Sequence, residues 1–345
     1  MSLLYPDWHS ARHFFVSEDS GVGDARRSVA ALAEARGLPD DVLGRLAIVT
    51  TELAGNLARH ATHGGVLFCH LLIGRAGVDG AEVLSVDHGP GIASLTRAHE
   101  AGFSTIGGAG LGLNAVRHLS DEYDIDSEVG RGTVVIARVC RPGSRSRRVQ
   151  LGGLCAPHPH EDVCGDGWGV RLDDAAITLL LSDGLGHGPG AAEASKAAAE
   201  TLEAGEPRSP SSWLRALREP LQATRGAAVM ICRLDLAQEM ASFSGIGNVW
   251  GVVQTDHGPP HHLLSLGGIV GRATQEIREN HVSIEPRCIL LMCSDGIHQR
   301  WSLQDERPFF RRHPALAAGI IFRDYSRHND DVSVLAVRVA PNERG

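Results

Sequence analysis

The spacing of apolar residues along the chain predicts an alternation of helices and buried strands. Apolar side chains recur every three or four residues over 42–61, which predicts a helix, and a shorter helix is expected over 28–36. Two further helices are expected over 113–119 and 191–202. Strands are predicted wherever β-branched and other apolar residues run together, at 66–73, 83–86, 133–139, 177–181, 227–234, 289–293 and 332–339.

A polar stretch divides these elements into two sets. Residues 141–148 read RPGSRSRR and contain no apolar side chain, and their Pro, Gly and Ser are typical of linkers. A chain of 345 residues is long enough to bury two cores. We therefore predict an N-terminal domain over 1–140, a linker over 141–150 and a C-terminal domain over 151–345. An arginine-rich docking patch is the alternative interpretation of the linker.

Composition narrows the class of protein further. The net charge of -8 argues against a general binder of nucleic acid or of anionic membranes. The sequence has no apolar run long enough to span a bilayer, and its first residues lack a signal-peptide pattern. The seven cysteines are odd in number and form no CxxC pair, so we expect reduced thiols and a cytoplasmic protein. The 18 histidines show no helical metal-binding spacing, and we interpret them as packed or solvated.

The predicted helix over 42–61 carries the first candidate chemistry. Glu52 and Asn56 lie four residues apart, so they share one face of the helix. A carboxylate in that position can accept a proton, and a carboxamide oxygen can hold Mg²⁺. Taken alone, Glu52 would be interpreted as a solubilising surface residue. Its position relative to the motifs that follow favours a functional role.

Two glycine-containing motifs follow this helix. Asp87 ends a predicted strand within DHGPG, and its glycines, Gly89 and Gly91, let a base approach the backbone closely. Residues 107–112, GGAGLG, open a helix, and their backbone N–H groups can bind phosphates. Residues 110–115 also fit a loose dinucleotide fingerprint, which we reject because it follows a loop instead of a strand.

In this order, the motifs resemble the GHKL ATPase family, in particular its small anti-sigma-factor and stress-switch serine kinases. GFST at 102–105 and GRGT at 130–133 belong to the same resemblance, which covers residues 13–139. It implies the GHKL (Bergerat) α/β sandwich, ATP and Mg²⁺ as cofactors, Glu52 as the base and Asn56 as the Mg²⁺ ligand. The residues that it implies for ATP are Asn56, Asp87, Gly89, Gly91, Gly108, Gly110, Gly112 and Thr133.

The second half of the chain places acidic residues beside glycines or polar turns at strand ends. Each of them alone is typical of a turn. Together, carboxylates from separate strands without thiolate or imidazole partners favour Mg²⁺ or Mn²⁺. Two such ions can activate a water and stabilise charge on a phosphoryl group. The four carboxylates are Asp166, Asp183, Asp295 and Asp330.

These residues, within 152–339, resemble the PPM metal-dependent phosphatases, closest to the bacterial sporulation and stress-response branch. The resemblance implies an αββα sandwich with two Mn²⁺ or Mg²⁺ ions. Asp183 would bridge both ions, with the carbonyl of Gly184 on one of them. Asp166 would contact the second ion through water, and Asp295 and Asp330 would complete the first site.

Two neighbouring residues keep open roles. Asp331 is interpreted as a neighbour of the ligands, because relatives often carry Asn there. His187 either assists the leaving group or has a role only in its loop.

Together, the two resemblances imply a bifunctional regulator of a bacterial partner-switching pathway, which adds and removes one phosphorylation mark. The expected mark is phosphoserine or phosphothreonine on a STAS-type anti-sigma antagonist or a stressosome-type protein. The alternative is a phosphatase whose GHKL domain only binds ATP or sequesters a sigma factor. An ATPase that drives conformational work is weaker, because no large coupling domain accompanies the pocket. Relatives of the first domain often dimerise, so a homodimer is a further expectation.

Overall fold

The computed structural model describes residues 3–74, 77–98, 112–144, 148–173, 176–255, 258–272, 276–285, 287–299 and 311–340. In the N-terminal part, four helices accompany six strands. The helices are α1 (Asp19–Glu34), α2 (Asp40–His60), α3 (Leu95–Ala98) and α4 (Gly112–Leu119). The strands are β1 (Tyr5–Pro6), β2 (Arg12–Val16), β3 (Gly65–Gly74), β4 (Gly77–Asp87), β5 (Glu122–Glu128) and β6 (Gly132–Cys140).

These six strands form one antiparallel sheet in the order β1-β3-β4-β6-β5, with β2 also paired to β3. Helices α1 and α2 pack on each other and on this sheet. Leu46, Val49 and Leu53 of α2 are fully buried, because their three- and four-residue spacing places them on one face of the helix. They join the apolar side chains of the strands in a single core cluster.

Helix α1 is longer than the helix predicted over 28–36. It begins at Asp19, and the acidic side chain in its first turn suits the positive end of the helix dipole. Gly21 and Gly23 lie in its first two turns. Because glycine weakens the helical signal of a sequence, these two residues concealed the true start.

The described residues of the C-terminal part form four helices and ten strands. The strands are β7 (Val149–Ala156), β8 (Asp166–Leu172), β9 (Ala176–Gly184), β10 (Ala227–Asp235), β11 (Met240–Ile246), β12 (Trp250–Gln254), β13 (His261–Leu263), β14 (Asn280–Ser283), β15 (Ile289–Cys293) and β16 (Val332–Val339). The helices are α5 (Pro189–Ala204), α6 (Pro210–Ala216), α7 (Arg218–Gln222) and α8 (Pro314–Tyr325). The strands form two five-stranded sheets, β14-β11-β10-β9-β8 and β13-β12-β15-β16-β7.

The chain forms two compact units that do not follow the sequence order throughout. One unit contains residues 2–152 together with 315–324, and the other contains residues 153–314 and 325–345. Most of α8 therefore belongs to the unit of the N-terminal sheet. Within that unit, Phe322 of α8 meets Phe68 of β3 edge to face, with ring centroids 5.4 Å apart.

Two further observations concern the predicted linker and the helices as a group. Strand β6 ends at Cys140 and β7 begins at Val149, while residues 145–147 of the linker lie outside the described residues. Among the helices in the described part of the chain, each is too short or too polar to cross a membrane.

Candidate functional site

The first candidate site is centred on Asp87, the last residue of β4. Its Oδ1 accepts hydrogen bonds from the backbone N–H groups of Gly89, at 2.7 Å, and Thr133, at 3.2 Å. Burial raises the pKa of Asp87, and the two hydrogen bonds and the positive charge of Arg323 oppose that shift. The carboxylate is therefore fixed by the protein's own groups, and Oδ2 takes no part in these two bonds.

The backbone around Asp87 requires glycine at two predicted positions. Gly91 and Gly132 have φ angles of +72° and +107°, which lie in the left-handed region. A methyl group on Gly132 would collide with the carbonyl oxygen of Asp87, and one on Gly91 would collide with that of Glu128. These glycines let the two loops around Asp87 approach each other closely.

Glu52 and Asn56 lie on α2, half-buried and facing the start of α4. A methyl group placed on Gly112, the first residue of α4, would lie 3.3 Å from Glu52 Oε2 and 3.6 Å from Asn56 Oδ1. The structure therefore brings the predicted base and the predicted Mg²⁺ ligand to the end of the glycine-rich loop. Gly108 and Gly110 lie outside the described residues.

Helix α8 supports the Asp87 loop, which sequence analysis did not predict. The Nε2 atom of His88 lies 2.8 Å from the carbonyl oxygen of Arg323. The buried guanidinium of Arg323 donates to Asp126 Oδ2 at 3.2 Å and forms a second ion pair with Asp324. Arg323 lies 235 residues beyond His88, so no local pattern in the sequence could reveal this contact.

The second candidate site is an acidic cluster in the other unit. Asp166 of β8 and Asp183 of β9 are direct partners in the antiparallel register, which places their backbones side by side. Asp295 follows β15, and Asp330 and Asp331 precede β16. Because β15 and β16 are neighbouring antiparallel strands, the end of one and the start of the other lie at the same edge of their sheet.

Electrostatics show that the acids of the two sheets lie close together. Burial first, and then the negative charges of Asp166, Asp295, Asp330 and Asp331, together raise the pKa of Asp183 to about 9. Burial, reinforced by the charge of Asp331, raises the pKa of Asp166 to about 8. Carboxyl groups with raised pKa values are typical of sites that lack a compensating positive charge.

The donor set of this cluster fits divalent cations that prefer oxygen. Asp166 Oδ2, Asp183 Oδ2 and Asp331 Oδ2 are buried and have no hydrogen-bond partner in the described structure. Buried carboxylate oxygens without partners are costly, and Mg²⁺ or Mn²⁺ would satisfy them. Among the described residues, no three acidic, histidine or cysteine side chains are already placed to hold one metal ion.

The remaining predicted residues lie at the edge of this cluster. Gly184 ends β9 directly after Asp183. Asp330 is half-buried, and its Oδ1 accepts the backbone N–H of Asp331 at 3.0 Å. Asp331 is only 3% exposed, so it lies deeper than Asp330, although sequence analysis ranked it as a neighbour of the ligands.

Two residues that sequence analysis did not single out, Asn248 and His158, contact the acids, and His187, whose role it left open, contacts a neighbouring loop. The side-chain amide of Asn248 donates to Asp295 Oδ2 at 2.5 Å. The backbone N–H of His158 donates to Asp331 Oδ1 at 2.8 Å. His187 pairs with Glu161 at 2.6 Å. A signal for Asn248 existed, since it follows Gly245-Ile246-Gly247 at a strand end.

Comparison with known families assigns each half of the chain separately. Residues 15–139 match the family described as Histidine kinase-like ATPase domain. Residues 173–340 match the family described as Stage II sporulation protein E (SpoIIE).

Two curated proteins of Bacillus subtilis (strain 168) are similar to different parts of the chain. The Serine/threonine-protein kinase RsbT is 36% identical over 93 residues, which are 27% of this chain and 68% of RsbT. The Phosphoserine phosphatase RsbX is 22% identical over 138 residues, which are 40% of this chain and 69% of RsbX.

Solved structures agree with the phosphatase fold. The structure of RsbX in complex with magnesium matches 57% of this chain and 98% of RsbX, with a TM-score of 0.50 and 19% identity. A structure from work on the bacterial stressosome as a modular system that controls secondary messenger signalling matches 56% of this chain and 100% of its own, with a TM-score of 0.52 and 26% identity.

Proposed function

Because this chain belongs to the histidine kinase-like ATPase family in its N-terminal part and carries a SpoIIE-type phosphatase domain in its C-terminal part, we propose that it is a bifunctional regulator of protein phosphorylation. Residues 1–140 act as an ATP-dependent serine kinase and residues 151–345 as a metal-dependent phosphoserine/phosphothreonine phosphatase. Residues 141–150 connect them. The two activities set the phosphorylation level of one partner protein.

The phosphatase activity rests above all on the buried pair of Asp166 and Asp183, whose Oδ2 atoms have no partner. We infer that Asp183 would help to hold both of two Mn²⁺ or Mg²⁺ ions and that the carbonyl of Gly184 would help to hold one of them. Asp166 serves the second ion, and Asp295 and Asp330 serve the first. When bound, the ions lower the pKa of a water molecule and neutralise charge on the phosphoryl oxygens.

The protein's own groups hold one of these ligands, Asp295, and the neighbouring Asp331 in place for that reaction. Asn248 donates to Asp295, and the backbone N–H of His158 donates to Asp331, which fixes one oxygen of each carboxylate. Outer hydrogen bonds of this kind orient metal ligands and leave their remaining oxygen atoms available. The buried position of Asp166 also excludes solvent water from one side of the cluster.

The kinase activity rests on the common position of Glu52 and Asn56 opposite Gly112. Glu52 accepts the proton of a seryl hydroxyl on the partner as the oxygen attacks the γ-phosphate of ATP, and ADP leaves. Asn56 holds the Mg²⁺ that accompanies the phosphates. Asp87 binds the adenine amino group through Oδ2, while Gly89 and Thr133 hold its other oxygen.

The partner that suits both activities is a small STAS-type protein, an anti-sigma antagonist or a stressosome-type protein. The likeness to a kinase and to a phosphoserine phosphatase that both carry Rsb names supports this choice. One partner for both activities would let the fusion control the net phosphorylation of a single switch.

A second function is supported by the independence of the Asp87 pocket from Glu52. Asp87, Gly89 and Thr133 form their hydrogen bonds without any contribution from Glu52. The N-terminal domain would then bind ATP, or sequester a sigma factor, and govern the phosphatase without transferring phosphate.

One experiment separates these functions. Purified protein is incubated with ATP, Mg²⁺ and a STAS-type partner, and then with Mn²⁺, while the mass of the partner is followed. Bifunctionality predicts phosphate added by the wild type, absent with Glu52→Gln and retained longer with Asp183→Asn. If pre-phosphorylated partner loses phosphate but none is ever added, the chain is a phosphatase with an ATP-binding module. If neither change occurs, both functions are wrong for this partner.

A further inference from the structure

An arginine outside every predicted motif lies beside the acidic cluster. Arg225 stands two residues before Ala227, which pairs with Gly184, and Ala228 pairs with Asp183. The backbone N–H of Leu185 also donates to the carbonyl oxygen of Gly226 at 3.0 Å. The start of β10 is thus held against the turn that carries the central aspartate.

The side chain of Arg225 lies over that same turn. A methyl group on Gly186 would lie 3.3 Å from its Nη1 atom, and one on Gly190 would lie 2.7 Å from its Nε atom. Arg225 is exposed, and within the described part of the chain no hydrogen bond or ion pair engages its guanidinium. Arg225 therefore has a defined position, and its guanidinium is available to bind a ligand.

The backbone beneath this guanidinium is firmly held. Arg272 donates from Nε to the carbonyl oxygen of Arg225 at 3.1 Å and from Nη2 to that of Thr224 at 3.4 Å. Gly226 has a φ angle of +81° and donates its N–H to Thr224 Oγ1 at 3.0 Å. A fixed backbone limits the entropy that the side chain loses when it binds a ligand.

Charge indicates what this guanidinium binds. A phosphorylated side chain is nearly dianionic at neutral pH and would be repelled by the acidic cluster. Metal ions offset part of this repulsion, but a planar guanidinium can in addition bind two phosphoryl oxygens side by side. The acids that create the repulsion are Asp166, Asp183, Asp295, Asp330 and Asp331.

We propose that Arg225 binds the phosphoryl group of the substrate at the metal centre, with its guanidinium held over the turn at 186–190. This inference rests on the proposed phosphatase function and assigns a substrate contact that the metal ligands do not provide. It predicts that the affinity for inorganic phosphate and the rate of hydrolysis both depend on Arg225.

Chemical protection tests the contact without relying on activity. Phenylglyoxal modifies exposed arginines, and mass spectrometry of the full-length protein after digestion quantifies each one. With Mn²⁺ present, inorganic phosphate should slow the modification of Arg225 but not that of Arg215, an exposed arginine on α6 whose side chain contacts only Ser211. Equal modification of Arg225 with and without phosphate would overturn the proposal.

Kinetics of variants test the consequence, with p-nitrophenyl phosphate and a phosphoserine peptide as substrates. Arg225→Ala should lower kcat/KM about 10- to 100-fold for both, since hydrogen bonds to charged groups are of that strength. Arg225→Lys should recover part of the loss, and Arg215→Ala should change nothing. A loss confined to the peptide would overturn the proposal, because Arg225 would then contact the protein part of the substrate.

A second variant moves the guanidinium without removing it. In Gly190→Ala the new methyl group meets only the flexible end of the Arg225 side chain, so the fold should tolerate it. We expect a several-fold higher inhibition constant for phosphate. If the wild type hydrolyses neither substrate but phosphate still protects Arg225, the proposed function fails and the phosphate contact stands. If the wild type hydrolyses both substrates and Arg225→Ala is fully active, the proposed phosphatase function stands and the phosphate contact of Arg225 fails.

Discussion

Two half-buried aspartates, Asp87 and Asp183, stand at the centres of the two candidate sites and differ in how their charge is compensated. Asp87 receives two backbone hydrogen bonds on Oδ1 and lies near the positive charge of Arg323. Asp183 has a buried oxygen without a partner, and the charged groups that raise its pKa are other carboxylates. In the first site groups of the chain itself oppose the cost of burying the charge, whereas in the second we propose that a cation does so.

The largest expected effect follows from this difference and concerns the unit of the acidic cluster. The folded pKa values of Asp183, about 9, and Asp166, about 8, lie above the ordinary value of 3.8. The folded state therefore keeps protons that the unfolded state has lost, and stability falls as pH rises from about 4 to about 9. Without metal, we expect the free energy of unfolding to drop on the order of 3 to 5 kcal/mol between pH 5.5 and pH 8.5.

Tryptophan fluorescence during denaturant unfolding measures this effect, because Trp168, Trp213 and Trp250 are buried in this unit. Mn²⁺ should restore stability, and more so at pH 8.5 than at pH 5.5. Asp183→Asn should flatten the pH dependence of the metal-free protein. An unchanged pH dependence in this variant would contradict the assignment of the effect to Asp183.

An intermediate effect is expected when the charge of Asp87 is removed. In Asp87→Asn the remaining carbonyl oxygen can still accept from Gly89 and Thr133, so the pocket should keep its shape. ATP affinity should fall about 10- to 100-fold, since a charged hydrogen-bond acceptor is lost. Calorimetric titration with ATP and Mg²⁺ measures it. If the variant instead unfolds as readily as a core mutant, Asp87 is needed for the fold and the contrast with Asp183 fails.

The sequence predicted the elements whose patterns are local. Strand β16 has the predicted bounds, Val332–Val339, because four valines recur along its eight residues. Helix α8 was missed although Pro314–Tyr325 is almost wholly buried: it is apolar on every side and lacks the periodicity of a surface helix. Strand β8, with two glycines, an aspartate and an arginine among its seven residues, also lacked a pattern of its own.

The site residues divide in the same way. Residues within motifs, such as Asp87 and Asp183, could be predicted because each motif contains a strand end and the glycines that its turn requires. Asn248 and Arg323 could not, because only long-range packing brings them to a site, and the proposed contact of Arg225 likewise depends on strand register. A single sequence therefore predicts the centres of the two sites but not the groups that compensate their charge.

The smallest expected effect concerns Gly112, where phosphotransfer can be separated from ATP binding. A methyl group in Gly112→Ala would lie 3.3 Å from Glu52 Oε2, closer than most such contacts. Because alanine favours helix more than glycine does, the fold should lose no stability. Crowding of the proposed base should lower phosphotransfer several-fold while ATP affinity changes little.

Gly44→Ala in α2 is the matched control, since a methyl group there would meet no atom within 4 Å. It should raise stability by about 0.5 to 1 kcal/mol and leave phosphotransfer unchanged. Radiolabelled phosphate transfer to the partner and thermal unfolding, measured on both variants, give the comparison. Equal transfer by both variants would show that the space at Gly112 does not fix the position of Glu52. The fixed part of this pocket would then include Asp87 but not the proposed base.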